Sequence, residues 1–284
     1  MRRCDCAGTL TAMKLPSILL GTAAIGAGAL CATAFVVPTI ASSASKCDAA
    51  LFTIQSGMPG AGSGYANAKV SAECSGSNLV VTSNGMPSYT YVAKTPNGLK
   101  TQNWTWTVPT APKKASKTTS INTWMGTIGF TVTGIPIYGP MEGPMPSDSA
   151  FGDPVYNGML DSCKGHTGYM ADYHDHAIVA TARCGFTQSK IVGYAIDGFP
   201  IYGPSSNATS GYVKTGNPKS NSWKAYTYKA SSSKKVLDKC NGRTEADGSY
   251  GYHVTTSFPY VVGCFKGTPV TQQGSAAAPM PPMR

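Results

Sequence analysis

The chain has 284 residues, and charged side chains make up 13% of it, about half of the fraction that is usual in soluble domains. This low charge excludes a coiled coil and an acidic disordered protein, while a hydrophobic fraction of 42% is sufficient for a core. The 32 glycines and 20 prolines predict a mainly β protein with many turns and few short helices.

The N-terminus has the pattern of a secretory signal. Residues 15–45 carry no charge and follow a basic stretch. We predict a signal peptide over residues 1–44, cleaved after Ala44 or alternatively after Ala34, with Met13 as a second candidate start. The other interpretation is an uncleaved helix that anchors the protein in a membrane, because the apolar run exceeds the ~20 residues that span a bilayer. The sequence therefore predicts a secreted or membrane-anchored extracellular protein.

The positive charge does not indicate a nucleic-acid partner. The net charge is +10, but 18 of the 23 basic residues are lysines, and they are spread along the chain. Base recognition and bidentate phosphate binding favour arginine. We therefore expect no nucleic acid, and an extracellular ligand of unknown identity.

An internal repeat is the most informative feature. GIPIYGP at residues 134–140 returns as GFPIYGP at residues 198–204, and each copy follows a β-rich run. After each copy come an Asp-x-Cys-x-Gly element, an aromatic-His element and a closing Cys with Phe, in the same order. The repeat predicts two related β-rich halves, about residues 120–186 and 187–267, packed as one domain of residues 45–270.

Six cysteines remain once the signal segment is removed, and an even number in a secreted chain predicts three disulfides. The count alone allows 15 connectivities. If the halves share a fold, equivalent cysteines should pair equivalently. This selects three pairs: Cys163 with Cys184, Cys240 with Cys264, and Cys47 with Cys74. Two glycosylation sequons, at Asn103 and Asn207, also fit an extracellular surface.

Two segments before the repeats predict strands. Residues 78–93 contain an Asn-Gly pair between β-rich runs and predict a hairpin. Residues 103–108 alternate so that Trp104 and Trp106 share one face. We expect these rings to pack in the core, and the alternative is a carbohydrate-stacking platform.

Two further segments differ in composition from their surroundings. Residues 205–235 are polar and rich in Ser, Lys and Tyr, and they form a long insertion in the second half. Residues 271–284 are predicted to be a disordered tail.

Three runs follow one another in a specific order: DSCKGHTGYMADYHDHAIVATARC, IVGYAIDGFPIYGP and LDKCNGRTEADGSYGYHVTTSFPYVVGCFKG. This order resembles the YHYH domain family over roughly residues 120–267. The resemblance implies a secreted or surface-associated domain whose biochemical activity is unassigned. One position departs from the family pattern, because the eponymous Tyr-His-Tyr-His is Tyr173-His174-Asp175-His176 here.

The His-x-His pair suggests a metal site. In an extended strand, His174 and His176 point to the same face and offer two neutral nitrogen ligands, which suit Zn or Cu. His166 or Asp161 would supply a third ligand. In the alternative interpretation these histidines bind backbone groups in a disulfide-closed turn and hold no metal.

Other residues near these motifs are further site candidates. Asp172 and Asp175 flank the pair and would fix the imidazole tautomers as outer-shell acceptors. Tyr173 and His253 belong to the two aromatic-His elements. Asp197 lies in the second turn, where it serves a site or, alternatively, accepts backbone N–H bonds.

The usual enzyme signatures, such as a G-x-S-x-G elbow, a P-loop or His-Glu-x-x-His, are missing from the sequence. We therefore expect a secreted, disulfide-bonded binding or structural module of unknown activity, whose histidines either line a metal site or serve the fold. The alternative function is a metal-dependent extracellular hydrolase that uses Asp161 as its base. The motifs do not decide whether a reaction is catalysed.

Overall fold

Two β-sheets form the frame of the protein in a computed structural model, which describes residues 47–144 and 150–270 and the backbone of Gln273–Gly274. The mainly β architecture agrees with the prediction. The predicted signal peptide, residues 1–44, lies outside the described residues.

The smaller sheet has four antiparallel strands in the order β1-β2-β3-β16. Alternation along β3 buries Trp104, Trp106 and Val108 on one face, as the sequence predicts. The strand bounds are β1 Val70–Ser75, β2 Asn78–Ser83, β3 Trp104–Pro109 and β16 Gln273–Gly274.

The larger sheet has eight strands in the order β13-β14-β10-β9-β5-β6-β8-β7. Nearly all of its residues in the central strands are buried, since the sheet is covered on both faces. Its strands are β5 Thr127–Thr131, β6 Pro136–Tyr138, β7 Gly165–Thr167, β8 Tyr173–Asp175, β9 Ile191–Ala195, β10 Pro200–Tyr202, β13 Gly242–Thr244 and β14 Tyr250–His253.

The order of these eight strands follows the sequence repeat. Strands β5 and β9 pair antiparallel at the centre, and each continues through a turn into β6 or β10. The parallel pairs β6-β8 and β10-β14 come next, and the antiparallel hairpins β7-β8 and β13-β14 complete the two sides. This order supports the interpretation of two related halves, whose superposition stays a prediction.

Stacked aromatic rings join the two sheets. The Trp106 ring lies parallel to Phe130 of β5 with 4.8 Å between centroids, and Trp104 stacks on Trp106 at 5.7 Å. Trp104 and Trp106 are 4% and 1% exposed. The alternative of a carbohydrate-stacking platform at these two rings is therefore wrong, because the larger sheet covers them.

The three predicted disulfides are present. They join Cys47 to Cys74, Cys163 to Cys184, and Cys240 to Cys264. Each of the last two closes the chain around one outer hairpin of the larger sheet, β7-β8 or β13-β14. The repeat therefore predicts the connectivity correctly.

Short elements complete the described chain. Two small strand pairs are antiparallel, β4 with β15 and β11 with β12. The described residues contain one α-helix, and Asn221 caps its N-terminus by accepting from the Lys224 amide at 2.9 Å. The bounds are β4 Thr119–Ser120, β11 Tyr212–Lys214, α1 Ser222–Ala225, β12 Tyr226–Tyr228, β15 Cys264–Phe265, and the 3-10 helices Ala49–Leu51 and Ala182–Cys184.

The predicted hairpin over residues 78–93 is wrong in its second strand. Strand β2 forms as expected, but its two edges are occupied by β1 and β3. The Asn84 side chain instead ties the chain to an earlier loop, accepting from the Lys69 amide at 2.9 Å and donating to the Asn67 carbonyl at 2.8 Å. The chain that follows is irregular and buries Tyr89.

Most of the predicted tail, residues 271–284, lies outside the described residues. Its Gln273–Gly274 backbone pairs with β3. In the part of the chain that the structure describes, no helix has both the length and the apolarity to cross a membrane.

Candidate metal centre

Three buried histidines converge at one outer hairpin of the larger sheet. His166 of β7 lies directly opposite His174 of β8, so the two side chains share a face. His176 follows two residues later on the same face. Within the described residues, these three form the group of potential ligands whose nitrogen atoms all lie within 4.8 Å of one another. The convergence expected from the spacing is observed.

A buried carboxylate builds the hairpin that carries these histidines. Asp161 Oδ1 accepts hydrogen bonds from the Cys163 and Gly165 amides at 2.8 and 3.2 Å, and its Oδ2 accepts from the Tyr173 hydroxyl at 2.6 Å. The Tyr173 ring passes so close to Gly165 that a Cβ at this position would overlap it. Asp161 therefore stabilises the β7-β8 hairpin through these hydrogen bonds, and it does not belong to the histidine group.

Each histidine has an acceptor at its Nδ1 atom. A carbonyl or a carboxylate can only accept a hydrogen bond, so the neutral imidazole carries its proton on Nδ1. Its Nε2 atom then keeps a free lone pair. The acceptors are the Met159 carbonyl for His166 (3.2 Å), the Asp172 carboxylate for His174 (3.2 Å) and the Gly139 carbonyl for His176 (2.6 Å).

This arrangement places lone pairs against one another. The Nε2 atoms of His166 and His176 are 3.1 Å apart, and neither carries a proton when both Nδ1 atoms donate. Glu142 Oε1 lies 3.5 Å from the first Nε2 and 4.0 Å from the second, and it has no hydrogen-bond donor within the described chain. Acceptors that face one another without a donor repel, and a cation among them removes that repulsion.

Burial keeps His166 and His176 neutral near neutral pH. It lowers the pKa of His166 to about 3, with a further contribution from the charge of His174. The pKa of His176 is also well below its usual value, chiefly through burial. Burial raises the pKa of Glu142, and the charge of His174 opposes this effect. The Nε2 atoms of His166 and His176 are therefore available to a metal ion without competition from protons near neutral pH.

Asp172 and Tyr138 orient His174. The Tyr138 hydroxyl donates to Asp172 Oδ2 at 2.8 Å, and its ring stacks on the His174 ring at 3.9 Å. Burial acts to raise the pKa of Asp172, but the hydrogen bonds and charge of His174 and the hydroxyl of Tyr138 hold it below its usual value. Asp172 thus has the geometry of the outer-shell acceptor that the sequence suggests.

The other candidate site residues lie outside this group. Asp175 points to the opposite face of β8, where its Oδ1 has no partner among the described residues. Asp197 accepts from the Tyr252 hydroxyl at 2.5 Å and from backbone amides, which agrees with its alternative role in the turn. His253 Nε2 is bonded to Glu245 Oε1 at 2.7 Å.

Sequence reasoning missed Glu142. It is one of three glutamates in the chain and lies two positions after the first GIPIYGP copy, where the second copy has Ser206. The signal available in the sequence was an acidic residue that follows the repeated turn in only one half.

No curated protein and no solved structure matches the chain. A family model described as YHYH protein matches residues 105–267. This range includes the three histidines, Glu142 and both copies of the repeat, and it begins upstream of the predicted start near residue 120. Because the match covers more than half of the chain, the protein belongs to the YHYH protein family.

Proposed function

We propose that this protein is an extracellular, disulfide-bonded module that binds one transition-metal ion, Zn²⁺ or Cu²⁺, through His166, His174 and His176. The observation that carries the proposal is the 3.1 Å separation of two Nε2 atoms whose Nδ1 atoms both donate to carbonyl groups. Two neutral imidazoles have no favourable contact in this arrangement, whereas two ligands of one ion do.

The donor set suits these metals. Three imidazole nitrogens are a common zinc set, and imidazole also suits copper. Zn–N bonds of about 2.0 to 2.1 Å place two nitrogen ligands of a tetrahedral ion roughly 3.4 Å apart, close to the observed separation. Glu142 is the remaining acceptor that faces the group, and it would bind the ion or hydrogen-bond to a water on it.

An extracellular location is supported by three disulfides, which persist in oxidising compartments. Both sequon asparagines, Asn103 and Asn207, are exposed, as glycosylation would require. Secretion by a cleaved signal peptide and glycosylation at these positions are part of the proposal, as is an extracellular ligand of the module.

The geometry does not favour the hydrolase alternative in which Asp161 is the base. That mechanism assigns the base to Asp161, but the oxygens of Asp161 accept from two backbone amides and from the Tyr173 hydroxyl. A base must face the metal-bound water that it deprotonates. Metal binding by a structural or recognition module is the function that these contacts support.

Isothermal titration calorimetry of the chelator-treated protein with Zn²⁺ and Cu²⁺ tests the proposal. We expect one ion per chain, and a loss of affinity of more than about 100-fold in His174→Ala and His176→Ala, beyond the effect of losing an outer-shell partner. His253→Ala is the matched control, because it is a buried histidine of the second half outside the group.

Near-UV circular dichroism establishes that each variant is folded. No uptake by the unmodified protein, or unchanged uptake by His176→Ala, would contradict the proposal. Equal loss in His253→Ala would show that the histidines act through the stability of the fold.

A further inference from the structure

The insertion of the second half builds a cleft away from the metal centre. Residues 205–235 contain four aromatic residues, and all four line this one cleft, whose volume is about 450 Å³. Strands β11 and β12 and helix α1 form one wall, and β4 and β15 contribute the other. The four aromatic residues are Tyr212, Trp223, Tyr226 and Tyr228.

Packing on Phe258 fixes these rings in place. The Tyr226 ring lies parallel to Phe258 at 4.2 Å, and Trp223 meets the same ring edge-on at 4.8 Å. The Tyr212 ring meets two rings edge-on: Phe258 at 5.3 Å and Tyr228 at 5.4 Å. Because the rings are already ordered, a ligand that stacks on them has little side-chain entropy to remove.

The tyrosine hydroxyls are bonded within the protein. Tyr212 and Tyr228 donate to the Lys239 and Leu237 carbonyls at 3.0 and 3.2 Å. Tyr226 donates to a carboxylate oxygen of Asp153 at 3.0 Å. These bonds fix the ring orientations, so the cleft offers a ligand mainly the faces and edges of the rings.

The other wall supplies uncommitted polar groups. Thr118, Asn122 and Lys239 line the cleft and are exposed, and within the described residues their side chains have no hydrogen-bond partner. Among the described residues that line the cleft none is acidic, and Lys239 supplies the one charge. The site therefore combines apolar ring faces with an amide, a hydroxyl and an ammonium group.

We propose that this cleft binds a saccharide chain. A sugar ring presents C–H groups on its faces, which pack on aromatic rings, and hydroxyls at its rim, which bond to amide, hydroxyl and ammonium groups. One lysine is too little charge for a nucleic-acid backbone. The volume falls within the usual range for sites that enclose a small ligand.

The cleft and the metal centre are separate sites. The cleft is built by the insertion, which the first half lacks, and none of the three histidines lines it. The metal centre can therefore fail its test without affecting saccharide binding, and the reverse also holds.

Calorimetry with four hexasaccharides tests the inference: β-1,4-glucose, β-1,4-N-acetylglucosamine, β-1,3-glucose and α-1,4-galacturonic acid. We expect at least one to bind, and Tyr228→Ala and Asn122→Ala each to weaken that binding about tenfold or more. Tyr228→Phe keeps the ring and should bind normally, which separates stacking from misfolding. Tyr169→Ala is the control, since Tyr169 is 88% exposed and does not line the cleft.

Three outcomes would overturn the inference. The first is no binding of any of the four probes at millimolar concentration. The second is binding that Tyr228→Ala and Asn122→Ala leave unchanged. The third is that a proline-rich peptide binds, none of the saccharides does, and Tyr228→Ala abolishes the peptide binding. The cleft would then be a peptide site. The His176→Ala variant should bind the saccharide normally.

Discussion

The disulfide between Cys163 and Cys184 allows the fold and the metal centre to be tested together. It closes the segment that carries all three histidines, whereas the disulfide between Cys240 and Cys264 closes the corresponding segment of the second half. The two cross-links span 21 and 24 residues. They therefore form a matched pair with nearly equal loops.

The loop lengths determine the expected loss of stability. In the chain-entropy model, the removal of either cross-link costs about 3 kcal/mol of unfolding free energy at 25 °C, and loops this similar in length differ little. We expect both Cys163→Ala/Cys184→Ala and Cys240→Ala/Cys264→Ala to lose about this amount. Urea denaturation measures it.

The two variants should differ in metal affinity. Without the first cross-link, local opening of the histidine segment lowers the fraction of molecules that can bind, and the apparent Kd rises in proportion. The full 3 kcal/mol corresponds to roughly 100-fold, which is the upper limit of the effect. The second variant should retain the affinity of the unmodified protein in the same calorimetric titration.

Two results would refute this reasoning. If both variants lose affinity equally, the metal centre depends on global stability and not on the closure of its own segment. If the first variant retains full affinity, the β7-β8 pairing alone orders the histidines, and the disulfide contributes nothing to the site.

Three further predictions concern single contacts. Asp172→Asn removes the acceptor of His174 Nδ1 and should weaken metal binding by about 10- to 100-fold while one ion per chain still binds in calorimetry. In the chelator-treated protein, burial lowers the pKa of His166 to about 3, so only the unfolded chain gains a proton there as the pH falls below about 6.5. The free energy of unfolding then decreases as the pH falls from about 6.5 toward 3, by up to about 1.4 kcal/mol per pH unit. Urea denaturation should show a smaller pH dependence in His166→Gln. Tyr173→Phe leaves Asp161 Oδ2 without this donor and should cost about 1 to 3 kcal/mol in urea denaturation, with unchanged stability as the contradicting result.

The disulfide pairing and the histidine group could be predicted because both depend on local order in the sequence. The repeat relates one pair of cysteines to the other, so the connectivity follows from symmetry and not from distance. The i, i+2 spacing of His174 and His176 fixes their common face in any strand. Likewise, the alternation of Trp104 and Trp106 places both rings on the buried face of β3.

Contacts between distant segments could not be predicted in this way. The Asn-Gly pair at Asn84 is a strong hairpin signal, but β3 already occupies the edge of β2 that a returning strand would need. Glu142 reaches the histidines because the chain that leaves β6 continues beside them, as the bond between the Gly139 carbonyl and His176 Nδ1 shows. No spacing rule relates residues 142 and 166. Both contacts depend on the order of the strands in the sheets. The local sequence pattern does not reveal that order.

The two halves use the same hairpin frame. In the second half, Asp238 accepts from the Cys240 and Gly242 amides at 2.9 and 3.1 Å and from the Tyr250 hydroxyl at 3.1 Å. The Tyr250 ring likewise lies so close to Gly242 that a Cβ there would overlap it. The Asp-x-Cys-x-Gly element with its tyrosine therefore shapes the hairpin, independently of any metal.

The two hairpins carry different side chains, and this difference distinguishes the proposed metal site from its counterpart in the second half. Matching the strand registers places Arg243 at the position of His166, Gly251 at that of His174 and His253 at that of His176. Arg243 Nε and His253 Nε2 both bond to Glu245 Oε1, at 3.0 and 2.7 Å, so the acceptor in this half already has a cation and a second donor. The Tyr202 ring fills the space beside Gly251, where a side chain would clash. In the first half, Glu142 and two Nε2 lone pairs face one another without such a donor among the described residues, and for this reason the proposed metal site lies in that half.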